Sequence, residues 1–306
     1  MDKPNKPSDT DFKQQRLKGL VFTPSSLVLG VIYLSIGISF IVFGIIVLEE
    51  SSKVEEVSKR YDDIDECQAN WRTPRTCTIT VDLESSMEAP IFFYYEIRNM
   101  FQNHRRFNKN RDIFQLMGED LNVNEIDQNC DPVVDMEDLG FYTSLDLDGN
   151  DPANPCGLFA KAYFNDTFSL LSQNSPNEEI LIEQSGIAWD IDKEDKFQRV
   201  EDWQGKQWID TENEHFIVWM STAGLPRFRK IWGRIEEDLE SGSYQLVIVN
   251  NYDVSSFDGQ KHIVMSTSSA FGGKADFLGV LYIVVGVVAM LGALVIFLTY
   301  YLKTRT

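Results

Sequence analysis

Histidine is scarce in this chain of 306 residues: there are three, His104, His215 and His262, far apart in sequence. That scarcity leaves little material for a histidine-built metal centre or for a nucleophile with an imidazole base, so each is read first as a hydrogen-bonded surface or core imidazole. No GxSxG, HExxH, GxGxxG or GxxxxGK occurs, so the common catalytic and phosphate-binding signatures are missing and an enzyme is the least favoured class. The four cysteines have no CxxC spacing and no histidine nearby, which argues against zinc. The run Asp146-Leu147-Asp148-Gly149-Asn150-Asp151 invites calcium, but an EF-hand loop registered on Asp146 needs Gly sixth and Glu twelfth, where Asp151 and Gly157 stand. A solvated acidic loop is the plainer reading, with a looser calcium site as the alternative. Basic residues are also few, 28 Lys+Arg against 47 Asp+Glu, for a formal net charge of -19.

The most informative absence is regional. Pro24 to Leu48 and Phe277 to Leu302 contain no Asp, Glu, Lys, Arg or His. At about 1.5 Å of rise per residue each reaches past the ~30 Å hydrocarbon core of a bilayer, so both read as membrane-spanning helices. A cleaved signal peptide is the alternative for the first; an h-region is usually about 7 to 15 residues and ends at a small-residue cleavage site, which this stretch lacks. Lys3, Lys6, Lys13, Arg16 and Lys18 precede the first span, Lys303 and Arg305 follow the second, and Glu49 and Glu50 open the connection. The positive-inside rule then puts both tails in the cytosol. The expected plan is an N-terminal tail 1–23, a span 24–48, a lumenal or extracellular domain 49–276, a span 277–302 and a tail 303–306. The ectodomain holds 21 of the basic and 44 of the acidic residues. Neither span has the intramembrane charge that usually marks an ion or substrate path, so the chain is not expected to transport anything alone.

Cys67, Cys77, Cys130 and Cys156 all fall on the expected oxidising side. Four cysteines allow three pairings, of which we favour neighbours, Cys67 with Cys77 and Cys130 with Cys156. The one N-x-[ST] acceptor, Asn165-Asp166-Thr167, lies in the same segment and gives an expected N-linked glycan at Asn165. TITVDL and IFFYYEI after Cys77, then YQLVIVNNYDV and HIVMSTS near the far end, read as strands. They are expected to meet in one antiparallel sheet or sandwich, with a few short helices. The Gly-, Asn-, Asp- and Pro-rich segments Gln128 to Pro155 and Asn174 to Asn177 read as long loops pinned by the second disulfide. From Leu225, LPRFRKIWGRIEEDL spaces Phe228, Ile231, Trp232, Ile235 and Leu239 at helical intervals after Pro226 and stops at Ser241-Gly242, which predicts a helix. In the second span Gly279, Gly286 and Ala293 recur every seven residues, near Ala289 and Gly292, and the first span carries Ser35 and Ser39. Small-residue faces of this kind permit close helix packing, within the chain or with a partner.

A further set of residues makes the whole chain resemble a known family. Phe12-Lys13-Gln14-Gln15-Arg16-Leu17 begins it, followed by Gln102-Asn103-His104-Arg105-Arg106, Arg111-Asp112 and Gln115-Leu116. Pro155-Cys156-Gly157, Phe164-Asn165-Asp166-Thr167, Gly186-Ile187-Ala188-Trp189 and Asn213-Glu214 come next, the last leading into Phe216 to Met220. Leu225-Pro226, Phe228-Arg229-Lys230, Asn251-Tyr252, Gly272-Gly273-Lys274 and Phe277-Leu278-Gly279 complete the series. In this order the chain resembles the cell cycle control protein fifty family, or ligand-effect modulators, the β-subunits of type IV P-type ATPases that flip phospholipids. It departs in having two cysteines where many relatives have four in the first cluster, His215 for an acid, Ala275-Asp276 for Asn-Pro, and no proline-rich approach in Lys18 to Thr23.

The resemblance implies a non-catalytic subunit with no cofactor. Its ATPase α-subunit partner holds the phosphorylated aspartate and the ATP site. The subunit supports that partner's folding, exit from the endoplasmic reticulum and aminophospholipid cycle, at the endoplasmic reticulum, Golgi, endosome or plasma membrane. The partners implied are that ATPase and membrane lipids, with no nucleic acid. A two-pass ligand-gated channel subunit and an adhesion or receptor ectodomain are the competing classes. The stretch Arg98 to Arg111 (RNMFQNHRRFNKNR) holds five cations and no acid. It either braces a loop against the domain's own carboxylates, or offers Asn103, His104, Arg105 and Arg106 as a docking face for acidic loops or lipid phosphate. Gly279, Gly286 and Ala293 are the matching candidates in the membrane.

Overall fold

A computed structural model describes residues 7–17, 19, 24–68, 75–140, 147–172 and 178–305. Asp146, the Asn174 to Asn177 segment and most of Lys18 to Thr23 lie outside the described residues. The chain divides into two compact units, Met1–Ser51 with Ala275–Thr306, and Ser52–Lys274.

The first unit is built on two apolar helices, Ser26–Ser52 and Asp276–Arg305. Each is long and apolar enough to cross a membrane, and the chain is a membrane protein. The first helix runs on past Leu48, where Ser51 accepts a hydrogen bond from the Ala275 N–H (2.9 Å) and donates to the Asp276 carboxylate. Gly30, Gly37 and Gly44 are buried, as are Gly279, Gly286 and Ala293. The two series face each other: a Cβ on Gly37 would lie 2.9 Å from the Gly286 carbonyl oxygen, and one on Gly44 2.8 Å from that of Gly279. A seven-residue repeat keeps such a seam on one side of both helices. In the structure this seam joins the chain's own two helices, one of the two uses read for Gly279, Gly286 and Ala293. The glycines of the first helix that complete it went unread, whereas Ser35 and Ser39 are exposed.

The second unit is an antiparallel sandwich. Its strands are β1 (Glu56–Arg60), β2 (Arg75–Leu83), β3 (Ile91–Arg98), β4 (Thr167–Leu171), β5 (Glu179–Ile180), β6 (Arg227–Ile235), β7 (Gly242–Asn250) and β8 (Gln260–Ser266). They form two four-stranded sheets, β1-β8-β3-β6 and β2-β7-β4-β5. The expected strands are present but shared out: β2 pairs with β7 and β3 with β8, in different sheets. In β2 the buried residues Cys77, Ile79, Val81 and Leu83 alternate with exposed ones, as a half-buried strand requires. Phe168 of β4 joins the layers, meeting Trp232 of β6 edge-on at 5.2 Å and Phe93 of β3 at 5.3 Å. Aromatic pairs in these geometries add stability beyond their buried area.

The helix expected from Leu225 is instead strand β6, paired with β3 from Arg98↔Arg227 to Ile91↔Ile235. Phe228 and Trp232 are four apart, a spacing that suits a helix and an even-numbered strand face equally. The deciding residue, Lys230, is charged but buried on that same face, so the alternation was hidden. A register shift opposite Phe93/Tyr94 then hides it again at the far end.

The structure pairs Cys67 with Cys77 (Cα–Cα 5.2 Å) and Cys130 with Cys156 (5.7 Å). The second bridge sits in a small separate core of Ile126, Val133, Val134, Met136, Leu139 and Ala153. Helices Val123–Cys130 and Met136–Leu139 both open on capping boxes, at Asn122 and Asp135, so part of the region expected as loop is locally ordered.

Candidate functional site

The five cations of Arg98 to Arg111 divide into two kinds. Arg98 ends β3 and donates to Glu96 (2.6 Å), a carboxylate only 1% exposed. Strand register puts Arg229 opposite Glu96, and it donates there at 2.8 Å while its fork grips Glu56 of β1 at 2.7 and 2.9 Å. Arg227 adds a third donor at 3.0 Å. Burial opposes ionisation of Glu96, but the hydrogen bonds from Arg229, Arg98 and Arg227 outweigh it and hold the carboxyl at about 2. Arg111 is a brace as well: it donates to the Met220 carbonyl (2.8 Å) and to Asn108 Oδ1 (3.2 Å) and lies 4.8 Å from the centre of the Phe159 ring, while burial lowers its pKa. Arg105, Arg106 and Lys109, on helix Arg105–Lys109, are exposed and make no side-chain ion pair or hydrogen bond with any described residue. His104, just before that helix, is exposed too.

Next to this segment stands helix Glu214–Met220, held at both ends by side chains. Asn213 caps its start by accepting from the His215 N–H (2.9 Å). The Glu214 carboxylate accepts from the N–H groups of Gly186 (3.0 Å), Ile187 (2.7 Å) and Ala188 (2.8 Å). Burial opposes its ionisation, yet these three donors keep its pKa below the usual range. At the other end the carbonyls that a helix leaves unpaired accept from cations. Lys230 donates to Val218 (3.0 Å), Trp219 (3.4 Å) and Ser221, and Arg111 takes Met220. Burial, with the Arg111 charge, brings Lys230 down to about 8, so it remains protonated at neutral pH. His215 Nε2 meets Gln184 Oε1 at 3.0 Å, its ring faces Trp232 at 5.4 Å, and burial lowers its pKa.

The loop that follows this helix joins it to the cationic segment. Thr222 donates to Asn108 Oδ1 (2.7 Å), the Ala223 N–H to Gln102 Oε1 (3.0 Å), and Asn103 Nδ2 to the Gly224 carbonyl (2.9 Å). Asn103 is thus engaged by its own chain. Between the loop, the helix and strands β3 and β6 lies a cleft of about 440 Å³ lined by Phe92, Tyr94, Ile187, Trp189, Ile217 and Ile231, with Lys230 also on its wall. Trp189 is 78% exposed.

The third cluster surrounds the sequon. Lys261 of β8, 1% exposed, donates to Asp166 Oδ2 (2.6 Å), Asn250 Oδ1 and the Tyr252 carbonyl. Asp166 also accepts from the Tyr61 hydroxyl (2.6 Å) and from the N–H groups of Asn251 and Tyr252 (2.7 Å each). This charged strap ties β8 of one sheet to the end of β7 and the start of β4 in the other. Asn165 and Thr167 on either side of Asp166 are exposed, so the sequon presents its acceptor outward. Among the described residues no group of three or more His, Cys, Asp or Glu is placed to hold a metal ion.

Sequence reading picked out Arg98 to Arg111 and the sequon but gave no role to Glu96 or Lys261, and met Lys230 and Trp189 only as members of the family motifs. The usable signal was chemical incongruity, a charged residue at an apolar strand position in KIW and KHI. The arrangement suits recognition and mechanical bracing: the buried charges Glu96, Asp112, Asp166, Lys230 and Lys261 each have partners, and the exposed groups beside the 221–225 loop include cations and a tryptophan.

A family model described as "LEM3 (ligand-effect modulator 3) family / CDC50 family" matches residues 47–306. Cell cycle control protein 50A of Bos taurus is 35% identical over 335 residues, covering 94% of this chain and 87% of its own. ALA-interacting subunit 3 of Arabidopsis thaliana is 36% identical over 327 residues, covering 98% and 88%. Putative ALA-interacting subunit 2 of the same plant is 35% identical over 302 residues, covering 90% and 82%.

Proposed function

The chain belongs to the LEM3/CDC50 family, and from that membership we propose that it is the non-catalytic β-subunit of a phospholipid-flipping type IV P-type ATPase. The carrying observation is whole-length similarity to proteins named for interacting as subunits with a partner, 98% of this chain in one case. The chain's chemistry agrees: two spans free of ionisable residues offer no path of their own, and the ectodomain's buried charges serve its fold. In this reading the ATPase supplies the aspartyl phosphate, the ATP site and the lipid path. The subunit assists its folding, its exit from the endoplasmic reticulum and its aminophospholipid cycle. A subunit that fits one state of the pump better than another shifts the cycle by that difference in affinity.

Both tails face the cytosol in this proposal, the sandwich faces the lumen or exterior, and Asn165 carries a glycan. Glycosidase treatment of the membrane protein and of Asn165→Gln tests the placement: the wild type drops in apparent mass and the variant is unchanged. A wild type resistant to the enzyme contradicts it. Co-expression with a type IV P-type ATPase and purification in mild detergent tests the function, with a one-to-one complex expected. A homotrimer without the ATPase would support the channel class instead.

A further inference from the structure

We propose that the Trp189 cleft and the unpaired cations Arg105, Arg106 and Lys109 form one docking surface for an acidic segment of a protein partner that carries a large apolar anchor. The inference rests on the accessory-subunit reading and deepens it, the segment being a non-cytosolic loop of the ATPase. Continuity of the surface comes from the 221–225 loop. One side of that loop walls the cleft, and the other is bonded to the cationic segment through Thr222 to Asn108, Ala223 to Gln102 and Asn103 to Gly224.

Charge decides the chemistry of the occupant. The ectodomain has an excess of carboxylates, yet these three cations pair with none of the described ones, and Arg98 to Arg111 contains no acid to neutralise them locally. The cations are therefore left for an anion from outside the chain. Close to them in sequence Phe101 is 54% exposed, and Trp189 on the cleft wall is 78% exposed. An aromatic-lined hollow, joined through one loop to a segment with exposed arginines, has the composition of an interface centre. The shape favours a peptide over a bilayer: the apolar part is a concave cleft sized for one or two side chains, not a convex wedge. A second copy is disfavoured because two such acidic domains repel.

The helix beneath is braced independently by Glu214, Lys230 and Arg111, so the surface side chains can be changed without loosening it. The test uses the full-length chain co-expressed with a type IV P-type ATPase, in three forms: wild type, Trp189→Ala, and the triple variant Arg105→Gln, Arg106→Gln, Lys109→Gln. The expected result is an unchanged thermal midpoint for each purified chain and roughly tenfold or greater loss of recovered ATPase for both variants. Recovery with the wild type should fall as salt rises, recovery with the triple variant should be nearly flat, and the charge-keeping variant Arg105→Lys, Arg106→Lys with Lys109 intact should retain most of the binding. If the wild type retains the ATPase and both variants retain it equally at every salt concentration, the docking surface is wrong while the subunit reading stands. If the wild type recovers no ATPase, the subunit reading itself fails. A photo-crosslinking residue at position 189 that captures only lipid or a second copy also overturns the proposal.

Discussion

Replacing Glu96 by glutamine removes one charge from the sheet and little shape. Its carboxyl is held at about 2 against an ordinary 4.5, which corresponds to roughly 3 kcal/mol at 1.36 kcal/mol per unit. That figure is an upper bound, because Arg98 and Arg229 are each 31% exposed and Arg227 58%, and water screens part of the attraction. Arg229 also keeps its fork on Glu56. The expected cost of Glu96→Gln is therefore about 2 kcal/mol, or about 4–8 °C in a domain of this size. The sign with pH follows from the depressed pKa. The stabilisation is fully present above the unfolded value of 4.5 and fades as pH falls toward 2. Thermal unfolding of both proteins in detergent from pH 7 to pH 3 reads this directly: the gap should be wide at pH 6 and narrow at pH 3. Equal midpoints at pH 6, or a gap that widens in acid, would refute the reasoning.

Three further outcomes follow from the other clusters. Gly286→Leu puts side-chain atoms where a Cβ would already lie 2.8 Å from the Gly37 carbonyl oxygen; spin labels at the exposed Ser35 and Val288 should move apart by on the order of 2 Å, and an unchanged distance would refute the seam. Lys261→Met leaves Asp166 as a buried charge without its cation and should cost about 3–5 kcal/mol; adding Asp166→Asn should recover part of the loss, measured as the yield of folded protein. Burial lowers the pKa of both His215 and His262, so they contribute stability above pH 6.5 that is lost as pH falls below it; His215→Asn should flatten the decline in thermal midpoint between pH 7 and pH 5.

The parts of the fold that were legible are those whose pattern is local. The alternation in TITVDL, the charge-free spans and the neighbouring cysteines depend on residues close in sequence, and the structure contains the strands, the helices and both bridges. Strand β6 was illegible because a buried lysine and a bulge broke its alternation, and pairing with β3 decides its conformation. The Lys261–Asp166 pair joins residues 95 apart, a contact no local spacing encodes. The helix seam was half visible: a heptad of small residues is evident in the second span, but its counterpart required Gly30, Gly37 and Gly44 to be set against it. The segment Arg98 to Arg111 looked uniform in sequence. Its division into braces and unpaired cations emerges only when strand register gives Arg98 a carboxylate and the fold gives Arg111 a helix end.

The central claim is that this chain is one half of a pump. Native mass spectrometry of the full-length chain, co-expressed with a type IV P-type ATPase and released in mild detergent, measures that claim most directly. The account predicts a single complex with one copy of each chain; a stable self-assembly that excludes the ATPase would contradict it.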